Sequence, residues 1–350
     1  MAKIYETVTA KNVVGYIELK QKARVPYLGE ALFPRKKQLG LKLEFIKGKS
    51  GLPIVLKASE FDVKTPLRDR VGFTKMEHEM PYFKEGFLIK EVDRQQINTF
   101  LEANLSDFAD QIIEQVFDDA GNLVEGARAS FERMRMQAIT EGKVSISAEG
   151  SFYDFDYGLD PSQFVEFTGT DAWNTATSAP VQDILTIIEN ARKKGIVLSR
   201  MVLNSVTVVY LAQHESIRKD MNPLGAANII LSTEDVLNYL RQKTKLQIAV
   251  YDNYYQDEKG VAQKFFPDNK VTFLTAGELG KSVYGTTPHE SDLMTGAGKG
   301  TNADVAIVDG AIAVTTHKKV DPVNIETIVA MIGLPSFEGA DGVVIATVAE

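Results

Sequence analysis

The 350-residue chain contains no cysteine. That absence removes disulfides, a thiol nucleophile and any Cys-ligated zinc or iron–sulfur centre. Histidine is scarce: His78, His214, His289 and His317 lie far apart, with no metal-ligand spacing. In Glu77–His78–Glu79 the neighbours fall on opposite faces of a strand, which is not a chelate. No run of about 18 apolar residues occurs, so no membrane-spanning helix is expected. The opening MAKIYETVTAKNVVGYIELK lacks an apolar signal core and a small-residue cleavage site, so a chain made and kept in the cytosol is expected.

Catalytic signatures are also missing. No GxSxG motif marks a nucleophile, although a Ser–His–Asp triad needs no sequence adjacency and stays open. TGAGKGT at 295–301 comes nearest to a phosphate loop. That loop needs Gly, four residues, then Gly-Lys-Ser/Thr. Here Leu293 stands at the first glycine position and Gly300 follows Lys299, so a flexible surface loop is expected. Acid pairs such as Asp107–Asp110 and Asp118–Asp119 sit on or beside amphipathic helices and read as solvated faces. No catalytic, cofactor-binding or metal-ligating residue is assigned.

What remains is an ordinary globular composition, 44% apolar and 25% charged, long enough for about two domains. The formal net charge of −8 disfavours a general nucleic-acid binder. Its distribution is more informative. Residues 1–75 carry sixteen Lys/Arg against seven Asp/Glu, a net of +9, which leaves −17 on the other 275. A basic leading segment on an acidic body is expected to touch something acidic: the body of a neighbouring copy, an acidic partner or nucleic acid.

Residues 1–26 show no sustained period and read as an arm without its own core, and 27–40 as a short connector. LKLEFI at 41–46 alternates like a half-exposed strand, and LPIVLKA at 52–58 reads as a second. The charged stretch that follows suggests a long projecting loop. Ile97, Leu101, Leu105, Phe108, Ile112 and Val116 predict a helix over 94–117, and DDAGN at 118–122 a turn. A second helix is predicted from Leu123 to Glu141, ended by Gly142. KVSISAEGSFYDFDYG reads as strand, turn and strand, with Gly150 at the turn. The small, polar 169–180 reads as a domain joint, with Trp173 packing beside it. Mixed α/β structure follows. A helix ends near Gly195 and IVLSRMVLN is a strand; Ser205 is a candidate cap for a short helix VTVVYLAQ, whose β-branched residues fit a strand nearly as well, and Ser232 with Asp235 resembles a capping box. A hairpin is expected across QDEKG, and later strands in VAIVDGAIAVTTHKK and VVIATVA.

Several stretches, in order, resemble the lambda gpE-like family of tailed-phage major capsid proteins. They are YLGEALFPRKKQLGLKLEFIKGKSGLPIV at 27–55, KTPLRDRVGFTKMEHEMPYFKEGFLI at 64–89, FERMRMQAITEGKVSI at 131–146, VYDNYYQDEKGVAQKFFPDNKVTFL at 250–274 and GKSVYGTTPHESDL at 280–293. His289 stands where the motif leads one to expect an acid. The resemblance implies an α+β chain with the Hong Kong 97-type capsid fold. The implied parts are an N-terminal arm at 1–40 and an extended β-hairpin loop at 41–85. A peripheral domain would take 86–180 and 316–350, with its spine helix at about 123–141, and a mixed α/β axial domain would take 181–315.

The implied function is that of a major head protein, not an enzyme. It would self-associate into pentamers and hexamers of an icosahedral shell around double-stranded DNA, held without sequence-specific binding. Implied partners are further copies, a scaffolding protein, a portal and a decoration protein, with assembly in the host bacterial cytoplasm and residence in the virion. Arg35, Lys36, Lys37, Arg68 and Arg70 are the expected subunit contacts. An encapsulin-like nanocompartment shell is the alternative on the same fold, and a cytosolic nucleotide-binding enzyme using the GAGKGT loop is the remote one.

Overall fold

The structure, a computed structural model, describes residues 7–21, 24–47, 52, 74–103, 106–148, 151–225, 230–294 and 303–349. Residues 53–58 of the second predicted strand, Gly150, and all of TGAGKGT lie outside them.

Two sheets and one long helix organise the chain. The helix, α4 (Ser106–Glu141), follows α1 (Ala10–Gln21), α2 (Leu28–Leu32) and α3 (Glu91–Glu102). At 36 residues it is about 54 Å long by the usual rise. Its inner face buries Ala120, Val124, Phe131, Met134, Ala138 and Ile139 in the main core. Burying one such large side chain is worth about 1.5–3 kcal/mol. Gly142 ends it with φ +70, a left-handed conformation that favours glycine.

The helix runs straight through the turn expected at 118–122. Tertiary packing overrides the local DDAGN signal: α1 lies against this stretch, Ala120 is fully buried, and Asp118 is held by Tyr16 and Lys20. The predicted run 94–117 is instead interrupted between α3 and α4. The opening arm has no core of its own but carries a helix that packs on the body. Val13, Val14 and Ile17 of α1 enter the main core, and Asp304 and Thr316 accept from the Ala10 N–H at the start of the helix.

One six-stranded sheet carries β1 (Arg35–Lys37), β13 (Lys281–Tyr284), β16 (Ile325–Ser336), β15 (Ile312–Lys318) and β14 (Ala303–Val308) in that order. β4 (Tyr82–Ile89) also pairs with β16, beyond β13 on the strand. The 12-residue β16 is the hub and is not among the predicted strands. Its apolar run lacks the alternation that marks a half-exposed strand, because both faces are covered. Residue 85, the expected end of the extended loop, falls inside β4, and residue 315 falls inside β15.

The second sheet has the order β7 (Phe164–Glu166), β17 (Val343–Thr347), β12 (Lys270–Thr275), β8 (Leu198–Leu203) and β9 (Gln247–Val250). Strand alternation lets it divide two cores. Val202, Leu274, Val343 and Ile345 join the core of the long helix. Met201, Leu203, Phe273 and Val344 face a second core with α5 (Pro180–Lys193), α6 (Ser205–Gln213), α7 (Glu215–Met221) and α8 (Thr233–Thr244). The last strand of the chain therefore belongs to the sheet of the middle segment. The segment 169–180 is anchored by Trp173, which is fully buried and whose indole N–H donates to Asp183 at 3.0 Å.

Local signals in this half resolve cleanly. Ser232 and Asp235 form the expected capping box of α8. The cap of α6 is Asn204, not Ser205: its Oδ1 accepts from the Thr207 N–H at 3.1 Å, while Asp252 accepts from the Ser205 N–H. That cap settles a β-branched sequence as helix. Two-stranded ribbons complete the fold: β2 (Lys42–Lys47) with β3 (Thr74–Glu79), β5 (Lys143–Ala148) with β6 (Ser151–Asp156), and β10 (Tyr254–Gln256) with β11 (Ala262–Lys264). The hairpin expected across QDEKG is β10–β11 alone. β9 pairs with β8, and β12 lies at the centre of its sheet.

Candidate assembly surface

Residues 24–37 cross the long helix and end as β1, and the charges of Arg24 and Arg35 are answered there. Arg24 pairs with Glu30 at 2.8 Å and Glu125 at 3.3 Å. Arg128 pairs with Glu125 at 3.0 Å and Asp309 at 2.8 Å. Arg35 pairs with Asp309 at 3.0 Å and Glu30 at 3.5 Å. Three cations and three anions thus close a ring in which each group bridges two of opposite sign. The ring joins the leading segment, α4 and the turn after β14. Burial alone would push Asp309 up, but Arg128 and Arg35 outweigh it and hold the carboxyl below the usual range. Glu125 follows the same pattern: burial raises it, and the Tyr27 hydroxyl, Arg128 and Arg24 bring it below normal.

One turn further along α4 lies a buried pair. Glu132 is 0% exposed and Arg135 2%, with 3.1 Å between their charged groups. Glu132 also accepts from the Gly29 N–H and the Tyr251 hydroxyl, both at 2.9 Å. Burial pushes this carboxyl up, and Arg135 with the two other donors pulls it back only in part. Arg135 Nε donates to Ser282 Oγ at 2.9 Å, and that hydroxyl donates to the Phe33 carbonyl at 2.6 Å. Two side chains therefore fix α2, the start of β13 and the loop after β9 around one point.

The expected contact residues divide by strand alternation. Arg35 faces the ring, and Lys37 on the same side pairs with Glu290 at 2.6 Å and donates to the Gly285 carbonyl. Lys36 points the other way, is exposed, and makes no ion pair among the described residues. Arg68 and Arg70 lie outside the described residues. Charge counting did not single out Glu125, Arg128, Glu132 or Arg135. The available signal was the pair of i, i+3 Glu–Arg spacings at 125/128 and 132/135, which read by default as solvated helix charge.

The Ser–His–Asp possibility also meets the geometry. His214 Nε2 lies 3.0 Å from Ser178 Oγ and 2.9 Å from the Thr175 carbonyl. Its Nδ1 accepts from the Ser216 N–H at 3.2 Å, so the ring proton sits on Nε2. That nitrogen is a donor and cannot take a proton from Ser178, and no carboxylate holds the other. The buried His214 side chain is the N-cap of α7. Among the described residues no group of His, Asp or Glu is arranged to hold a metal. No helix among them is long and apolar enough to cross a membrane. His289, in place of an acid, lies 3.2 Å from the Tyr82 hydroxyl through Nδ1.

Comparison with known proteins gives this surface its context. The family described as phage major capsid protein E matches residues 9–348. The chain belongs to that family. Its fold is that of phage capsid proteins. A putative capsid protein of an E. coli CFT073 prophage is similar at 14% identity with a TM-score of 0.60, over 98% of this chain and 99% of that one. A phage-related protein from Bordetella bronchiseptica RB50 is similar at 10% identity and TM-score 0.53, over 95% and 96%. The capsid protein of cyanophage A-1(L) is similar at 12% identity and TM-score 0.50, over 92% of each chain. Curated proteins yield no match. Within a capsid family, the ring and the buried pair hold residues 24–37 on the subunit's own long helix, with Lys36 exposed beside them.

Proposed function

We propose that this chain is the major head subunit of a tailed phage. Copies associate as pentamers and hexamers into a closed icosahedral shell of the Hong Kong 97 type, which holds double-stranded DNA without reading its sequence. The family match over 9–348 carries this reading. Assembly takes place in the bacterial cytoplasm with a separate scaffolding protein, and a portal and a decoration protein complete the head. The arm is 1–40 and the extended loop begins at 41, with β2–β3 as its base. The long helix and six-stranded sheet form the peripheral domain, and the five-stranded sheet with α5–α8 forms the axial domain.

Contacts between copies are individually weak, roughly 0–1 kcal/mol for an exposed ion pair. Weak contacts let misplaced subunits leave before the shell closes. Lys36, Arg68 and Arg70 meet acidic surface on neighbouring subunits, while Arg35 and Lys37 fix β1, which presents Lys36. Reversing Lys36, Arg68 and Arg70 to Glu together should cut head yield while leaving the subunit folded. Heads formed at normal yield and salt resistance would show that these charges are not subunit contacts.

A further inference from the structure

Two basic runs far apart in sequence, RKK at 192–194 and RQKTK at 241–245, meet where α5 and α8 end. A cleft of about 570 Å³ lies there. It follows α5 from Gln182 to Lys193, about 17 Å by the helical rise, with residues 243–245 as its other wall. Arg192, Lys193, Lys243 and Lys245 line it against a single acid, Glu189, and Leu185 and Ile188 supply its apolar part. Cations in a last helical turn complement the helix dipole, which accounts for part of the cluster. Arg192 pairs with Glu189 at 3.2 Å, and Lys243 with Asp220 at 2.7 Å. Lys193 and Lys245 make no ion pair among the described residues, and the side-chain amides of Gln182 and Asn190 make no hydrogen bond.

Lys245 carries a second signal. It stands just past α8 in a left-handed conformation, φ +62, where glycine is the ordinary choice. The end of α5 has that choice in Gly195, φ +81. A side chain held in this backbone costs stability relative to glycine, and such positions mark places where the side chain has a task. The charge balance agrees. Residues 181–275 carry twelve Lys/Arg and ten Asp/Glu, whereas the rest of 76–350 carries eleven and thirty. The cleft is thus a positive site on an acidic body. Duplex DNA, a rod with one charge per about 1.7 Å, would lay phosphates over Leu185 and Ile188 and beside Glu189. A peptide meets every part of the lining. Its backbone can bond the free amides of Gln182 and Asn190, an aliphatic side chain can cover the apolar pair, and carboxylates can reach the two unpaired lysines. At about 3.3 Å per extended residue, the cleft takes about five residues.

We propose that the cleft between α5 and α8 binds a short acidic segment of a partner protein, with an aliphatic side chain on Leu185 and Ile188 and carboxylates on Lys193 and Lys245. The site belongs to the single subunit and holds whether or not shells form. Fluorescence anisotropy on the full-length free subunit tests it, with a fluorescein-labelled peptide alternating Glu and Leu as the probe. That peptide should bind saturably, and one alternating Glu and Ser should bind several-fold more weakly. Lys245→Gly should keep or raise the urea midpoint, because glycine suits the left-handed backbone, yet weaken binding of the Glu/Leu peptide at least about tenfold. Lys193→Gln/Lys245→Gln, which keeps both side chains long and polar, should weaken it as much. Unchanged affinity in either variant overturns the proposal, as does the absence of saturable binding by the unaltered subunit. A short DNA duplex that binds more tightly than the peptide, and loses affinity in Lys245→Gly, overturns it too, because the cleft would then be a phosphate site.

Discussion

Replacing Glu132 by Gln tests the buried pair at the centre of the subunit. The amide oxygen can still accept from the Gly29 N–H and the Tyr251 hydroxyl, so both hydrogen bonds survive in kind. What is lost is the negative charge beside Arg135, a guanidinium that is 2% exposed. An uncompensated buried charge costs about 3–5 kcal/mol. Urea unfolding of the free subunit should therefore show Glu132→Gln destabilised by about that amount. Adding Arg135→Gln removes the stranded cation, so the double variant should lose less than the sum of the singles by at least about 1 kcal/mol. Hydrogen exchange supplies the local readout: the Gly29 amide should exchange faster in Glu132→Gln, while amides of α5 and α8 shift only with global stability. A loss below about 1 kcal/mol, or strictly additive singles, would refute the reasoning, since the pair would then not be desolvated and coupled as described.

Gly29→Ala places a Cβ 2.5 Å from Glu132 Oε2 and 2.7 Å from Arg135 Cδ, so it should cost about 1–3 kcal/mol in thermal or urea unfolding. In an unobstructed helix the same change would be stabilising, which makes the sign itself the check. Asp309 and Glu125 are held below the usual carboxylate range, so the stability they supply is present above their unfolded values near pH 4. It is lost as pH falls through their lower native values, and Glu132, shifted the other way, opposes that loss. Exchange protection of residues 24–37 should fall with acid over that window, and Asp309→Asn should weaken the pH dependence. Asn204→Ala removes the α6 cap and the bond to Asp268, and should lower stability by about 1–2 kcal/mol with a matching drop in unfolding midpoint.

Much of the architecture could be read from residue patterns, and the exceptions share a cause. Periodic apolar spacing located the second half of α4, α5 and the alternating β2, because each buries one face against a nearby core. The helix through 118–122 and α1 were not legible, because each is stabilised by the other: Ile17 lies over Gly121, and Tyr16 and Lys20 hold Asp118. Neither segment carries that information alone. β16 escaped notice since a strand covered on both faces has no alternation to read. At the assembly surface, basic charge in the first 75 residues suggested acidic contact beyond the subunit, and part of that charge meets the chain's own acids instead, Lys20 and Arg24 pairing with Asp118 and Glu125 of the long helix. Sequence could not show that Arg35 and Lys37, on one side of β1, reach acids of the same chain while Lys36 does not, which follows from the pairing of β1 with β13.

The most direct test is to purify the chain after expression with its scaffolding partner and examine it by light scattering and negative-stain imaging. Closed hollow shells of uniform size are the predicted result. Single chains or small oligomers only, from a protein that is folded and soluble, would contradict the claim that this subunit builds a head.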